Sequence, residues 1–131
     1  MKLLLDTHIW LWTATDPRKI GRAARRELGR ANNELFLSPV SIWEAQQAHT
    51  RKRLRIHGEF HVWLEEELSK SGLQEAPFTF AVAREACRIQ LPQPDLGDLF
   101  LAATASAHSL TLVTADPQLL ACRWLKTLPN D

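Results

Sequence analysis

Short apolar runs that alternate with helical segments are the feature that most limits how this chain can fold. The first run, at residues 2–5, ends abruptly at Asp6. Strands are predicted at residues 2–5, 34–38, 73–78, 110–114 and 123–128. Helices are predicted at residues 8–14, 18–31, 41–53, 58–72, 79–89, 95–108 and 116–121. Strands that alternate with helices along a whole chain predict an α/β fold, a parallel sheet with helices on both faces.

Length and composition agree with one globular domain. The chain has 131 residues with no linker or repeat, so we expect a single domain over residues 1–131. Hydrophobic residues make up 45% and charged residues 24%, which excludes a disordered or fibrous chain. No apolar run approaches the roughly 18 residues of a membrane span, and no signal-peptide pattern follows Met1. We therefore expect a cytoplasmic protein that does not enter a membrane.

Four acidic residues fall where predicted strands end or helices begin. Asp6 directly follows the first strand, and Asp116 follows the strand at residues 110–114. Glu44 lies in the first turn of the predicted helix after the second strand, and Asp98 lies near the start of another helix, after a Pro-rich connector at residues 91–94. Because ligand sites in parallel sheets gather at the carboxyl ends of the strands, we expect the four side chains to lie together.

Each acid also has a simpler explanation, because polar side chains often cap helix N-termini. Asp6 and Asp116 stand where such caps would lie. Two pairs have the spacing of a capping box: Ser41 with Glu44, and Asp95 with Asp98. Against capping alone, four clustered carboxylates repel one another unless a cation neutralises them, and ligation by oxygen alone suits Mg²⁺ or Mn²⁺ better than zinc.

Four segments in order resemble the motifs of PIN-domain ribonucleases, most closely those of VapC-type toxins. The segments are LLLDTH at 3–8, SPVSIWE at 38–44, DLGDLFLAATA at 95–105 and LVTAD at 112–116. The resemblance implies a Mg²⁺- or Mn²⁺-dependent endoribonuclease, the toxin of a type II toxin–antitoxin pair, with a cognate antitoxin and a homodimeric state. The chain departs from the pattern at residues 95–98, where relatives often carry Asp-Pro-Phe-Asp, and at residues 51–55, which are unusually basic.

The resemblance also assigns roles to individual residues. It makes Asp6, Glu44, Asp98 and Asp116 the catalytic and metal-binding residues, supported by Thr7, Asp95 and Thr114. On chemical grounds, Asp6, Asp98 and Asp116 would ligate the ion directly or through water. Glu44 would either ligate it or act as a general base. A binding module without activity, a small phosphatase and a DNA nuclease are the rival functions for such a site.

Basic and aromatic residues give less specific signals. The predicted RNA contacts are Arg22, Arg26, Arg30, Arg51 and Arg53. For the first three, which lie at helical spacing, a solvated helix face is the alternative. The five tryptophans are predicted to lie mostly in the core or in interfaces, with Trp10 and Trp12 the candidates for contact with a second copy or an antitoxin.

Overall fold

The computed structural model describes residues 1–70, 72–92 and 95–131, so Gln93 and Pro94 of the predicted connector lie outside the described residues. Within these ranges five strands alternate with seven helices. The strands are β1 (Lys2–Leu5), β2 (Glu34–Leu37), β3 (Gln74–Glu75), β4 (Thr111–Thr114) and β5 (Thr127–Pro129). The helices are α1 (Thr7–Thr15), α2 (Arg22–Leu28), α3 (Pro39–Thr50), α4 (Phe60–Lys70), α5 (Phe80–Arg88), α6 (Leu96–Ala107) and α7 (Pro117–Leu120).

The strands form one sheet in the order β3-β2-β1-β4-β5, and every neighbouring pair is parallel. At the centre, Leu4 of β1 pairs with Phe36 of β2 and with Leu112 of β4. The predicted α/β fold with a parallel central sheet is confirmed. None of the described helices is both long and apolar enough to cross a membrane.

The core lies on both faces of the sheet, and β1 contributes to both. Leu3 and Leu5 belong to the cluster beneath α1, α3 and α4, whereas Leu4 belongs to the cluster beneath α6. All three side chains are buried, as expected for a central strand whose successive residues point to opposite faces. Helices on both faces leave the strand ends as the place where polar groups can gather.

The order of the strands creates a crevice beside β1. The chain moves from β1 outward through β2 and β3, and then returns to the other side of β1 to form β4. Connections from these two strands therefore leave in opposite directions, which opens a cleft at their carboxyl ends. A helix that packs against a parallel strand runs antiparallel to it, so the N-terminus of α6, which leads into β4, also reaches this edge.

The predicted helix at residues 18–31 is wrong as one continuous element. A 3₁₀ turn at Pro17–Lys19 is followed by extended backbone at Gly21, and α2 begins only at Arg22. A Cβ at Gly21 would lie 1.9 Å from the carbonyl carbon of Asp131, so the C-terminal segment packs directly on this glycine. The Gly21 amide also donates to Asn130 Oδ1 at 2.7 Å. Tertiary contact thus overrides the local helical pattern.

Element boundaries differ from the predictions at three other places. Helix α3 begins at Pro39, capped by Ser38, whose hydroxyl accepts from the Val40 amide at 3.1 Å. Glu44 therefore lies in the second turn of the helix. The strands β3 and β5 are shorter than predicted, because each lies at an edge of the sheet and pairs with one neighbour over only two or three residues.

Candidate metal centre and active site

The carboxyl ends of β1 and β4 are joined through the side chain of Thr114. Its hydroxyl donates to Asp6 Oδ2 at 2.6 Å and accepts from the backbone amide of Asp116 at 3.0 Å. Asp6 is 6% exposed and Thr114 is fully buried. Asp116 in turn caps α7, because its Oδ1 accepts from the Gln118 amide at 2.8 Å. One hydroxyl therefore fixes the relative positions of two of the predicted acids.

A second chain of hydroxyl groups holds Glu44. Thr7 Oγ1 donates to Glu44 Oε1 at 2.6 Å and lies 2.7 Å from Ser41 Oγ. Because Thr7 has a single proton to give, Ser41 must donate to Thr7. Thr7 and Ser41 are both buried, so this chain runs from α3 across to α1 and back to the carboxylate. The predicted supporting residue Thr7 thus orients Glu44.

The first turn of α6 supplies the remaining acids. Asp95 caps this helix, with its Oδ1 accepting from the amides of Gly97 at 2.7 Å and Asp98 at 3.3 Å. Glu44 packs against the same turn, since a Cβ at Gly97 would lie 2.1 Å from Glu44 Oε2. The lack of a side chain at this position lets α3 and α6 approach with a carboxylate between them.

These side chains line one groove of about 1080 Å³. All four predicted site acids border it, together with Thr7 and Asp95. Cationic side chains also border it: Lys19, Arg51, Arg53 and Arg55. A space of this size exceeds what one phosphate group needs, so it suits a ligand with several charged and apolar parts.

Burial and mutual repulsion disfavour the charged forms of three acids. Desolvation, a hydrogen bond with Asp116 and repulsion from Asp116 and Asp6 raise the pKa of Asp98 to about 7. Desolvation also raises the pKa of Asp6, although the Thr114 hydrogen bond works in the opposite direction. In Glu44 desolvation and repulsion from Asp6 and Asp95 raise the pKa, partly offset by Thr7. Repulsion from neighbouring acids therefore adds to burial at Asp98 and Glu44, whereas burial is what raises the pKa of Asp6.

The carboxylates are close neighbours but are not preassembled as a ligand shell. Among residues 1–70, 72–92 and 95–131, no three acidic, histidine or cysteine side chains are arranged so that they could hold a metal ion as they stand. Instead, repulsion from Asp116 and a hydrogen bond with it favour the protonated form of Asp98. A cation is the other way to relieve the same repulsion, and all-oxygen donors of this kind are those that Mg²⁺ and Mn²⁺ prefer.

The capping alternatives are now separable. Asp116 and Asp95 do cap helices. Asp6 precedes α1 but makes no side-chain cap, and the predicted capping box of Ser41 with Glu44 is wrong, because Ser38 is the cap and Ser41 lies inside the helix. Helix capping therefore does not explain the positions of Asp6 and Glu44.

The predicted RNA contacts divide into two groups. Arg51 and Arg53 border the groove, in an exposed segment that follows α3. The other three, Arg22 and Arg26 on α2 and Arg30 just beyond its end, are not among the described residues that line the groove. Two of these three are ion-paired with the buried Glu27, Arg30 at 3.2 Å and Arg26 at 3.9 Å. Contact between these three arginines and RNA stays a prediction.

The two tryptophans of α1 have different environments. Trp10 is 1% exposed and packs against Trp63, with ring centroids 5.7 Å apart, so its expected contact with a partner is wrong. Trp12 is half-buried and borders the groove, with the Lys19 ammonium 5.6 Å from its ring centroid. The apolar period of the helix indicated burial for one face, and Trp10 lies on that face.

Some residues of the site were not singled out from the sequence. The sequence indicates Ser41 only as a possible helix cap. It marks Gly97 only as part of the segment at residues 95–98 that departs from the family pattern. His8, an exposed residue at the groove, attracts the Asp6 and Glu44 carboxylates electrostatically. Its position two residues after Asp6, in the first turn of α1, was the available signal.

We predict that Asp98→Asn stabilises the metal-free protein more at pH 8 than at pH 5. Between pH 3.8 and about 7 the folded state holds more protons at this position than the unfolded state, so the stability of the native protein falls as pH rises through that window. Asparagine does not titrate, so it removes this loss in the free energy of unfolding, which we expect to be about 1 kcal/mol after solvent screening. Urea denaturation in EDTA at both pH values measures it.

The control is Asp16→Asn, which changes an acid that borders the groove but pairs with Arg18 at 3.2 Å. It should give no comparable gain at pH 8. Equal stability of the native protein and Asp98→Asn at both pH values would contradict the electrostatic account of the cluster.

Comparison with known proteins supports the fold and the family. Ribonuclease VapC22 of Mycobacterium tuberculosis (strain ATCC 25618 / H37Rv) is 28% identical over 122 residues, 92% of each chain. The structure of VapBC2 from Rickettsia felis, bound to a DNA fragment from its promoter, matches over 100% of both chains with a TM-score of 0.75 and 20% identity. VapBC-1 from nontypeable Haemophilus influenzae matches over 98% of both chains, with a TM-score of 0.70 and 16% identity.

The solved structures share the fold at low sequence identity, whereas the family follows from the sequence itself. A family model described as the PIN domain matches residues 3–124, nearly the whole chain. The predicted resemblance is thereby confirmed, and the chain belongs to the PIN domain family.

Proposed function

We propose that this protein is a metal-dependent endoribonuclease and the toxin of a type II toxin–antitoxin pair. Its site for hydrolysis of RNA phosphodiester bonds would be formed by four acids: Asp6, Glu44, Asp98 and Asp116. The observation that carries the proposal is the convergence of these four acids on one groove. The relative named as a ribonuclease and the similarity to VapBC structures support it.

The donor set fits a hard divalent cation. The side chains that would hold Mg²⁺, or Mn²⁺, are Asp6, Asp98 and Asp116, directly or through water. When bound, such an ion polarises the phosphate and lowers the pKa of water. The protein's own contribution is orientation, because Thr114 holds Asp6 and the amide of Asp116 in fixed positions.

Glu44 has two roles open to it. It either ligates the ion or accepts a proton from the attacking water as a general base. Partial burial raises the pKa of Glu44, which makes it a better proton acceptor than an ordinary glutamate. The Thr7 hydroxyl occupies one of its oxygens, which leaves the other facing Gly97 and the groove.

The basic end of the groove fits the substrate backbone. The segment at residues 51–55 carries Arg51, Arg53 and Arg55 on the groove, while Leu54 between them is buried in the core and anchors the segment. Neutralising phosphates with arginines supplies most of the sequence-independent affinity of proteins for nucleic acids. We infer that Arg51 and Arg53 hold the RNA on one side of the cleaved bond.

Removing one acid tests the chemistry. We expect Asp6→Asn and Asp98→Asn each to lower RNA cleavage by roughly 100-fold or more, because the bound ion supplies several kcal/mol of transition-state stabilisation. The measurement is cleavage of labelled RNA with Mg²⁺, repeated with EDTA and with Mn²⁺.

Asp16→Asn is the matched control and should keep its activity. Full activity of both site variants, or activity that survives EDTA, would refute the proposed site. A substrate panel of RNA, DNA and small phosphate esters separates the rivals: cleavage of DNA or esters alone would indicate a DNA nuclease or a phosphatase, and binding without cleavage would indicate a binding module.

The salt dependence of RNA binding tests the arginines. In an Asp6→Asn background, which keeps the RNA intact, Arg51→Gln with Arg53→Gln should lower the slope of log affinity against log salt by about 1.4, or 0.7 per lost contact to a single strand. The comparison is a triple glutamine variant of Arg22, Arg26 and Arg30. An unchanged slope in the variant of Arg51 and Arg53 would contradict the inferred path of the RNA. An unchanged slope in the triple variant would mean that its three arginines form a solvated face and do not contact RNA.

A partner that silences the enzyme would exploit the acidic groove. An arginine from an antitoxin, inserted among the carboxylates, would form bidentate hydrogen bonds with them and oppose the metal. We expect saturating Mg²⁺ to weaken antitoxin binding on the order of 10-fold, and by linkage the antitoxin weakens Mg²⁺ equally. Calorimetric titration at several Mg²⁺ concentrations and constant ionic strength measures this, with the product of an adjoining short reading frame as the partner.

Antitoxin affinity that does not depend on Mg²⁺ would point instead to inhibition by steric cover. The homodimer implied by the resemblance is a further proposal, and the mass of the free protein and of the complex in solution decides it.

A further inference from the structure

Trp43 is exposed at the edge of the acidic groove. Its side chain is 63% exposed, although it directly precedes Glu44 in α3. Of the large apolar side chains exposed on the described surface, Trp43 and Leu96 are the two that border the groove. Leaving an indole in water forfeits a large hydrophobic gain, so its exposure here needs a reason beyond folding.

The position of Trp43 on α3 places it next to one acid that borders the groove, Glu44, and in line with one of the arginines that border it, Arg51. Trp43, Gln47 and Arg51 follow one another at intervals of four residues and therefore share one side of α3, and all three border the groove. Eight residues of helix span about 12 Å. Along this side an aromatic ring lies beside the acids, and a cation lies at the other end.

We propose that Trp43 stacks on the unpaired base of the nucleotide next to the cleaved bond. The inference rests on the proposed function. A phosphate placed among Asp6, Glu44 and Asp98 carries a sugar and base that must leave the acidic cluster, and Trp43 is the exposed tryptophan among the described residues that border the groove. A base in a duplex is already stacked and paired, and so is not free to contact an indole.

Two further observations favour RNA over a protein segment at this position. The cations at residues 51–55, on the same groove, complement a chain of phosphates. Leu96, at the start of α6, is exposed and borders the same groove, so an aliphatic surface is also available there. Stacking on an aromatic ring tolerates any base, so Trp43 would add affinity without selecting a sequence.

The test uses a cleaved RNA oligonucleotide and the same RNA with an abasic nucleotide on either side of the cleaved bond. In the native protein one abasic position should raise KM on the order of 10-fold to 100-fold, the equivalent of one lost stacking contact. Trp43→Ala should raise KM for the intact RNA by a similar factor with little change in kcat, because stacking is made equally in the ground and transition states. The abasic substitution should then add no further loss.

Two variants separate stacking from a change in fold. Trp43→Phe keeps a ring and should retain much of the native KM. Trp124→Ala is the matched control, because Trp124 is 46% exposed and is not among the described residues that border the groove, and it should behave as the native protein. Annealing the RNA to its complement should abolish cleavage by the native protein.

The outcomes that would overturn the inference are distinct from failure of the proposed function. If the native protein cleaves no RNA, the proposed function fails and this inference fails with it. If it cleaves RNA but Trp43→Ala matches it, or if the abasic penalty persists in Trp43→Ala, the stacking role alone is refuted. A Trp43→Ala variant that loses only antitoxin affinity would mark Trp43 as a protein contact and refute it too.

Discussion

The buried carboxylate of Asp6 sets the conditions for everything around it. It lies at the point where β1 and β4 diverge, with the Thr114 hydroxyl donating to it and little access to water. Moving a charge out of water is costly, and the hydrogen bonds from Thr114 and from the backbone of Thr7 and His8 offset that cost only in part, so the pKa of Asp6 is raised. Protonation or a nearby cation would relieve the remainder.

The cost of burying a charge also applies to Glu44 and Asp98, where desolvation is the largest cause of a raised pKa. Burial and the neighbouring Asp116 raise the pKa of Asp98, and Glu44 accepts a hydrogen bond from Thr7, which in turn accepts one from Ser41. Hydroxyl groups are well suited here, because they donate without adding a charge of their own. A cation entering the groove would therefore meet acids whose protons it can displace, on a scaffold whose backbone is already fixed.

The sequence predicted those parts of the molecule that depend on local pattern. The apolar runs predicted β1 and β4 with Asp6 and Asp116 just beyond their ends, and strand alternation predicted the parallel sheet. Glu44 was expected in the first turn of α3 but lies in its second turn, and Ser41, the alternative cap, instead donates to Thr7. Contacts between distant segments were beyond such reasoning: the C-terminal residues against Gly21 break a helix that is locally favourable.

The acids themselves illustrate the same limit. Their residue types and spacing were visible along the chain, but the degree of burial that separates Asp6 from the exposed Asp95 was not. Burial is decided by the layers packed above and below, and it is burial that sets the protonation of each group.

Gly97 has a consequence for how this site can vary. The Glu44 carboxylate occupies the space that a side chain at position 97 would fill. The two positions are therefore one steric unit: a chain with a bulky residue at 97 must carry the acid at 44 in another rotamer or on a displaced helix. A substitution at a residue without any functional group would redirect a carboxylate on a different helix. The shape of the acidic edge is thus set jointly by the two positions, and neither can be read alone.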